Sequence, residues 1–433
     1  MSINCKKTVI LAQGCLEQPV ILLNGEPLQV VNKFCYLGSQ LSSNLSLDAE
    51  IDSRIDKAAS TFGRLCSRAW DNRHHSVKTK MLVYQSCVLI NFFNCNTLPG
   101  VKTVYKRFYV DIGSVVGQSD KIWTISLNDE STKTPLVMLH GMGAGVALWC
   151  PNLDAFAATR PVYAMDLLGF GRSSRPKFSS EAERVEDQWV ESVEQWRREV
   201  KIDEFIILGH SLGGFIATAY ALKYPERVRH LILADPWGFP EKPSNVYEKY
   251  QVPFWFRAMA IALQPLNPLW AVRAAGPAGK WLVSKTRPDI SRKYLNYVPE
   301  AETVIPEYIY QCNSQAPSGE SAFHTLMHGF GWAKNPMLRR VGRLDPGLPI
   351  TVLYGSRSWV EYSTGHLIGE SRPDSQTYVI NGAGHHIYVD KPEQFNKYVL
   401  EACARADDGP RTKSLPNTEK DTNTDNNNQG LAS

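Results

Sequence analysis

The chain has 433 residues, of which 43% are hydrophobic and 21% charged, and its formal net charge at pH 7 is +4. These values are typical of a globular protein, and so small a charge argues against a nucleic-acid partner. The sequence contains neither a secretory signal pattern nor an unbroken apolar run of about 18 residues, so we expect no transmembrane helix. The nine cysteines contain no C-x-x-C pair, which predicts free thiols in a reducing intracellular compartment and no metal site. No motif indicates a cofactor.

Residues 1–98 differ from the rest of the chain and form a predicted separate segment. They hold six of the nine cysteines. The stretch 23–65 begins with a hairpin-like pattern and then carries apolar residues at helical spacing, namely Ile51, Ile55, Ala58, Ala59 and Phe62. We place the boundary with the next segment between Asn96 and Val101.

From about residue 101 to 403, short apolar runs alternate with helical patterns. A helix is predicted by the spacing of Val185, Trp189, Val193, Trp196 and Val200. Continuous apolar runs predict buried strands of a mostly parallel sheet with helices on both faces, which is an α/β fold. These runs are Pro135–His140, Pro161–Asp166, Phe205–His210, Leu231–Asp235, Ile350–Gly355 and Thr377–Ile380.

The strand pattern is interrupted between Asp235 and Ile350 by more than a hundred residues rich in Trp, Pro and Tyr. We interpret this insertion as a cap over the sheet, with the apolar stretch Val252–Trp270 as a surface-active lid. The predicted divisions are therefore a first core part (101–236), a cap (237–346), a second core part (347–403) and a disordered polar tail (404–433).

The pattern G-x-S-x-G occurs once in a strand-to-helix context, at Gly209–Gly213, with Ser211 in its centre. This context is that of a nucleophile elbow, a tight turn that needs small neighbours and exposes a reactive serine. The simpler alternative is a serine that caps the amino terminus of a helix. We favour the nucleophile because the pattern lies between a buried strand and a helix.

A serine hydroxyl needs a base, and the expected chain order is serine, acid, histidine. His385 follows the last predicted strand and is the predicted base, with His386 as the fallback. For the acid we predict Glu361, the first carboxylate after the strand Ile350–Gly355. Asp235, at the end of an earlier strand, is the alternative acid.

An oxyanion hole requires backbone N–H groups beside the nucleophile. We predict the N–H groups of Met142 and Leu212. Glycines at four positions let the backbone approach the substrate and form the turn; these are Gly141, Gly143, Gly209 and Gly213. A further glycine-bearing turn at 166–176 is interpreted as shaping the site and not as a phosphate loop.

His385 also begins the pattern H-x4-D, which ends at Asp390. This pattern is a signature of some glycerolipid acyltransferases. The alternative is structural: Asp390 would cap the amino terminus of a helix that contains Pro392, with Glu393 completing a capping box. We consider the structural interpretation the better one physically.

The stretches "TPLVMLHGMGAG", "LGHSLGGFIATAYALKYPERVRHLILADPWGFPEKP", "GWAKNPML" and "GAGHHIYVDKPEQFN" closely resemble the subfamily of α/β-hydrolase domain-containing proteins 4 and 5. The resemblance runs from about Lys121 to Cys403. It implies an α/β-hydrolase fold with a helical cap and activity on lipids. One branch of the subfamily hydrolyses lysophospholipids and N-acyl phospholipids. The other activates a separate triacylglycerol lipase at lipid droplets and has been assigned lysophosphatidic acid acyltransferase activity.

Two departures from the subfamily bear on these expectations. Glu361 stands where the family usually has aspartate, and the tryptophan-rich amino terminus of the co-activator branch is missing. Ser211 is present, whereas vertebrate co-activators carry asparagine there, so the resemblance implies a chain equipped for hydrolysis. The expected partners are a lipid substrate, the surface of a lipid droplet, endoplasmic reticulum or mitochondrial membrane, and in the co-activator alternative a partner lipase.

The stretch "LNGEPLQVVNKFCYLGSQLSSNLSLDAEIDSRIDKAASTFGRL" resembles non-LTR retrotransposon reverse transcriptases downstream of the polymerase palm. The Tyr-x-Asp-Asp pattern that polymerase chemistry needs is absent from this sequence. We therefore expect no polymerase activity and interpret residues 1–98 as a retrotransposon-derived fragment.

Overall fold

The computed structural model describes residues 100–243, 269–328 and 331–408, together with Leu98 and short stretches between residues 9 and 42. The predicted helix at residues 51–62, the lid stretch up to residue 268 and residues 409–433 of the predicted tail lie outside the described residues. The chain divides into two compact units, Met1–Thr97 and Leu98–Ser433.

The first unit contains short paired strands. Two antiparallel pairs lie in the stretch with the hairpin-like pattern, Leu22–Leu23 with Glu26–Pro27 and Lys33–Tyr36 with Ser39–Ser42. Val9–Ile10 pairs in parallel with Gln29–Val30. The resemblance of this unit to a reverse transcriptase stays a prediction.

The second unit is built on an eight-stranded sheet whose strands are ordered β8-β7-β6-β5-β3-β4-β2-β1. The strands are β1 (Tyr105–Gly113), β2 (Asp120–Leu127), β3 (Leu136–Leu139), β4 (Val162–Met165), β5 (Phe205–His210), β6 (Val228–Ala234), β7 (Ile350–Gly355) and β8 (Gln376–Ile380). All pairings from β4 to β8 are parallel, and β2 runs antiparallel to β1 and β4. The six predicted strands are all present, and β1 and β2 are additional.

Helices cover both faces of this sheet, and a further group of helices lies in the sequence between β6 and β7. They are α1 (Cys150–Ala157), α2 (Ala182–Glu199), α3 (Leu212–Lys223), α4 (Trp270–Ala274), α5 (Gly279–Thr286), α6 (Pro288–Lys293), α7 (Ala301–Asn313), α8 (Ser318–Leu326), α9 (Ser363–Ser371), α10 (Ile387–Asp390) and α11 (Pro392–Asp408). Because α11 continues to Asp408, the predicted start of the tail at Ala404 is wrong. We call α4–α8 the cap helices.

The predicted apolar stripe of α2 faces the core. Val185, Trp189, Val193 and Trp196 are buried, and Val200 lies one residue beyond the helix as its cap. Helices α2 and α3 pack together on one face of the sheet, while α1 and α11 pack together on the other. Each face thus buries its own apolar cluster, which explains why the central strands are apolar on both sides.

No helix within the described parts of the chain is long and apolar enough to span a bilayer. The three cysteines at positions 150, 312 and 403 are free and buried.

A buried polar network joins α2 to α3. Glu194 is 1% exposed and accepts hydrogen bonds from Arg197, Arg198 and the hydroxyl of Tyr220. Burial alone would raise the pKa of Glu194, but these hydrogen bonds outweigh it and lower the pKa to about 2. The carboxylate is therefore ionised across the neutral range.

We predict that the Glu194 carboxylate contributes about 3 kcal/mol to stability above pH 4.5, where it is ionised in the unfolded chain too. Because the folded pKa is depressed, this contribution is lost as the pH falls towards about 2. Thermal unfolding of Glu194→Gln should show a lower midpoint at pH 7 and a weaker decline with acid than the unchanged protein. Equal midpoints at pH 7 would contradict the prediction.

Candidate active site

The chain turns sharply between β5 and α3, and Ser211 occupies this turn. Its backbone has φ 53° and ψ −116°, a strained conformation that L-residues rarely adopt. The Ser211 N–H donates to Ala234 O at 3.1 Å, and its carbonyl accepts from Gly214 N at 3.0 Å. Because these bonds tie the turn to β6 and α3, the strain is held by the surrounding structure.

The glycines of the pattern are required by close backbone approaches. A Cβ on Gly209 would lie 2.3 Å from Gly213 O, and one on Gly213 would lie 2.3 Å from Leu139 O. A Cβ on Gly141 would lie 3.1 Å from the Cβ of Ser211. The loop after β3 therefore runs directly beside the serine.

Ser211 is in hydrogen-bond contact with His385, which lies in the loop between β8 and α10. His385 Nε2 is 3.1 Å from Ser211 Oγ. The fallback base His386 instead immediately precedes α10 as its N-cap, and its ring packs on those of His210 and Tyr388. The structure thus brings the predicted nucleophile together with the first of the two predicted bases.

The carboxylate beside His385 belongs to Asp235 and not to Glu361. Asp235 Oδ2 lies 2.5 Å from His385 Nδ1, whereas Glu361 is an exposed residue of the loop between β7 and α9. The prediction that Glu361 is the carboxylate partner of His385 is therefore wrong. The alternative, Asp235, occupies that place. An ionised carboxylate only accepts hydrogen bonds, so His385 Nδ1 carries the proton and Nε2 faces the serine hydroxyl as an acceptor.

Asp235 is fully buried and is held from three sides. Oδ1 accepts from Gly355 N–H at 3.1 Å, and Oδ2 accepts from the Ser358 hydroxyl as well as from His385. Ser358 is a site residue that the sequence analysis missed. Trp359 follows it, 61% exposed, with its ring centroid 4.9 Å from that of His385.

The loop that carries Met142 is shaped by buried polar contacts. Ala144 N–H closes a turn onto Gly141 O, and His140 Nδ1 donates to the same carbonyl at 2.7 Å. Burial lowers the pKa of His140, so the ring stays neutral and its Nε2 accepts from Leu167 N–H at 3.0 Å. Met142 directly follows Gly141, the residue that lies beside Ser211. Leu212 begins α3, and its first-turn N–H has no intrahelical acceptor.

His210 contacts the backbone of His385. The sequence did not predict this role for His210. Its Nε2 donates to the backbone carbonyl of His385 at 2.9 Å. Burial, with the nearby His385, keeps the pKa of His210 well below its ordinary value. The neutral ring therefore acts as a fixed hydrogen-bond donor to the loop of the base.

The cap helices contact the loop after β3 directly. Asn313 Nδ2 donates to Gly143 O at 2.7 Å, and the Tyr308 hydroxyl accepts from Ala147 N–H at 3.2 Å. On the neighbouring loop, the Arg175 guanidinium bridges Gly171 O and Cys312 O, each at 2.9 Å. The end of α7 is thus fixed to the two loops that border the site, which sequence alone did not reveal.

Asp390 is placed differently from the helix-cap prediction made for it. It is the last residue of α10, and α11 begins at Pro392, so Asp390 does not cap α11. Its Oδ2 accepts from Gly384 N–H at 2.8 Å, and its Oδ1 lies 2.8 Å from Lys293 Nζ. Both ring nitrogens of His385 are engaged by Asp235 and Ser211. The helix-cap prediction is therefore wrong.

The sheet order and the serine turn are those of an α/β hydrolase, and comparisons with known proteins agree. A family profile described as "alpha/beta hydrolase fold" matches residues 134–392. A mouse (Mus musculus) protein named "1-acylglycerol-3-phosphate O-acyltransferase ABHD5" is 51% identical over 310 residues, which are 71% of this chain and 87% of the relative. The human (Homo sapiens) "(Lyso)-N-acylphosphatidylethanolamine lipase" is 49% identical over 291 residues, which are 66% and 84%.

Solved structures show the same fold at low sequence identity. A membrane phospholipase A described as a bacterial virulence factor aligns with a TM-score of 0.52 at 21% identity. The alignment covers 76% of this chain and 95% of that one. The chain belongs to the α/β-hydrolase family, in the subfamily of domain-containing proteins 4 and 5, as the sequence resemblance predicted.

We predict that Gly213→Ala destabilises the protein by about 3 kcal/mol, because the new Cβ meets the rigid backbone of β3. A suitable control is Gly369→Ala, since Gly369 lies in α9 and a Cβ there meets nothing within 4 Å. Thermal unfolding should give a lower midpoint for the first variant and an equal or higher one for the second. Similar midpoints for both variants would refute this account of the turn.

Proposed function

We propose that this protein is a serine lipase or esterase that acts on glycerophospholipids or acylglycerols. The observation that carries the proposal is the continuous contact from Ser211 through His385 to the buried carboxylate of Asp235. Such a chain of groups turns a weakly nucleophilic hydroxyl into an attacking group. The family, and the relative named as a lipase, support hydrolysis of lipid esters.

In the proposed reaction, Ser211 Oγ attacks the acyl carbonyl and its proton passes to His385 Nε2. The N–H groups of Met142 and Leu212 donate to the oxygen that becomes negatively charged. The bond to the leaving alcohol then breaks, and that alcohol takes the proton from His385. Water repeats the sequence on the acyl-serine, which releases the fatty acid and restores Ser211. Asp235 keeps His385 in the required orientation and stabilises it while it is protonated.

Acyl transfer is a second candidate, favoured by the name of the relatives that are about half identical to this chain. The same acyl-serine would pass its acyl group to the hydroxyl of a lysophospholipid instead of to water. Acyl-CoA would supply the acyl group, and its thiol would leave with the proton held by His385. Transfer by this route requires Ser211 just as hydrolysis does.

We further propose that the protein works at the surface of a lipid droplet or an intracellular membrane. Support comes from large apolar side chains that the cap helices expose. Trp270 is 52% exposed, Trp281 61% and Leu295, just after α6, 53%. Helices α4 and α5, which carry the two tryptophans, pack against each other. Tryptophan favours the boundary between water and lipid.

We predict that Ser211→Ala abolishes release of fatty acid from lysophospholipids, N-acyl phospholipids and acylglycerols by the purified full chain. Asp235→Asn should lower kcat by about a thousandfold, because His385 loses its orienting carboxylate. Glu361→Gln is the matched control and should stay within about twofold of the unchanged protein. Labelling by a fluorophosphonate probe should be absent in Ser211→Ala, strongly reduced in Asp235→Asn and nearly unchanged in Glu361→Gln.

Equal effects of Asp235→Asn and Glu361→Gln would contradict the assignment of the acid. Serine-independent hydrolysis would contradict the proposed reaction. No hydrolysis or labelling by the folded protein, with stimulation of a partner triacylglycerol lipase by Ser211→Ala protein, would support the co-activator role instead.

We predict that replacing Trp270 and Trp281 together by Ala lowers binding to phosphatidylcholine vesicles about tenfold, since each indole buries apolar surface in the interface. Tyr109→Ala is the control, because Tyr109 is an exposed aromatic residue on the edge strand β1. Co-sedimentation with the vesicles measures the effect. An equal loss in the control variant, or none in the double variant, would argue against this surface.

A further inference from the structure

Asp390 joins a cap helix to the loop of the base. One carboxylate oxygen pairs with Lys293 Nζ and the other accepts from Gly384 N–H, each at 2.8 Å. The side chains are largely buried, with 12% of Asp390 and 21% of Lys293 exposed. Each oxygen therefore has its own donor, which is what a mostly buried carboxylate requires.

The two ends of this bridge lie in different parts of the fold. Lys293 is the last residue of α6, in the insertion between β6 and β7. Gly384 immediately precedes His385, and the other side of that loop is held by His210 at the His385 carbonyl. In addition to the contact of its ring with Asp235, His385 is therefore positioned by two backbone hydrogen bonds, one from His210 and one to Asp390.

A tie at Gly384 bears directly on the reacting atoms. His385 Nε2 and Ser211 Oγ are 3.1 Å apart, at the long end of an effective proton-transfer contact. A displacement of the loop by about 1 Å would cost on the order of a hundredfold in rate. Lys293 and Asp390 touch none of the atoms that react, so their influence is exerted through the loop.

We propose that Asp390 is a positioning residue through which the cap helix α6 holds His385 within reach of Ser211. The proposal rests on the proposed hydrolase function and assigns the last residue of the H-x4-D pattern a role other than that of an acyltransferase catalytic residue. In this proposal the cap helices cover the site and also help to fix the distance between His385 and Ser211. Any movement of α6 would change the turnover rate through Lys293.

Four variants of the full chain test this bridge. Lys293→Met removes the charge at similar length, and Asp390→Ala removes both contacts. Asp390→Asn keeps an oxygen that can accept from Gly384 N–H. Lys280→Met is the matched control, because Lys280 pairs with Glu307 at 2.7 Å within the cap helices and does not reach the loop of the base.

We expect Asp390→Ala to lower kcat for lysophospholipid hydrolysis about thirtyfold with KM within about twofold, since binding is not affected. Lys293→Met and Asp390→Asn should each lower kcat only about threefold to fivefold. Combining Lys293→Met with Asp390→Asn should lower kcat no further than either of these two changes alone, because both remove the same ion pair. Lys280→Met should leave kcat unchanged. Thermal midpoints identify any variant that fails to fold, in which case Lys293→Met and Asp390→Asn decide the outcome.

Acyl transfer from acyl-CoA to lysophosphatidic acid is measured on the same variants. The proposal requires transfer and hydrolysis to fall in equal proportion in each variant. Selective loss of transfer in Asp390→Asn, with hydrolysis intact, would overturn it in favour of a catalytic Asp390. Unchanged kcat in Asp390→Ala and Lys293→Met, while Ser211→Ala is inactive, would also overturn it. Hydrolysis that survives Ser211→Ala would instead refute the proposed function.

Discussion

The architecture of the site depends on the burial of one negative charge. The Asp235 carboxylate has no exposure to water, and such a charge is tolerated only where donors surround it. Its donors come from β7 at Gly355, from the following loop at Ser358, and from the loop after β8 at His385. Because β6, β7 and β8 are adjacent parallel strands, their carboxyl ends meet at one edge of the sheet. The Asp235 carboxylate therefore links the loops that follow β6, β7 and β8.

Most of the α/β core could be predicted from the sequence, because its central strands are apolar on both faces. The strands Phe205–His210 and Ile350–Gly355 begin and end where the apolar runs do. β2 escaped prediction because it buries polar side chains, among them Thr124 and Ser126, inside the sheet. β1 lies at the edge with mixed burial, so its apolar residues do not form a continuous run.

The contact between Ser211 and His385 could be predicted because each residue lies next to a strong local pattern. The first choice of their carboxylate partner was wrong, since local order along the chain says nothing about which neighbouring strand end reaches the histidine. Glu361 follows β7 in sequence, yet Ala234 of β6 stands beside Leu353 of β7 in the sheet. Asp235 thus arrives at the same edge from more than a hundred residues away. The contacts of Asn313, Arg175 and Lys293 could not be predicted either, because they link segments that are distant in sequence.

The origin of the acid on β6 has a consequence for how this enzyme scaffold can diversify. The loop after β7 supplies a hydroxyl to Asp235 through Ser358, but Ser211, His385 and Asp235 themselves all come from other loops. Trp359 in this loop is nevertheless exposed, and its ring packs against that of His385. A substitution at position 359 therefore changes the exposed surface beside His385 without removing the contacts that join Ser211, His385 and Asp235. The surface beside the site and the contacts within it thus come from different loops, so the first can vary without loss of the second.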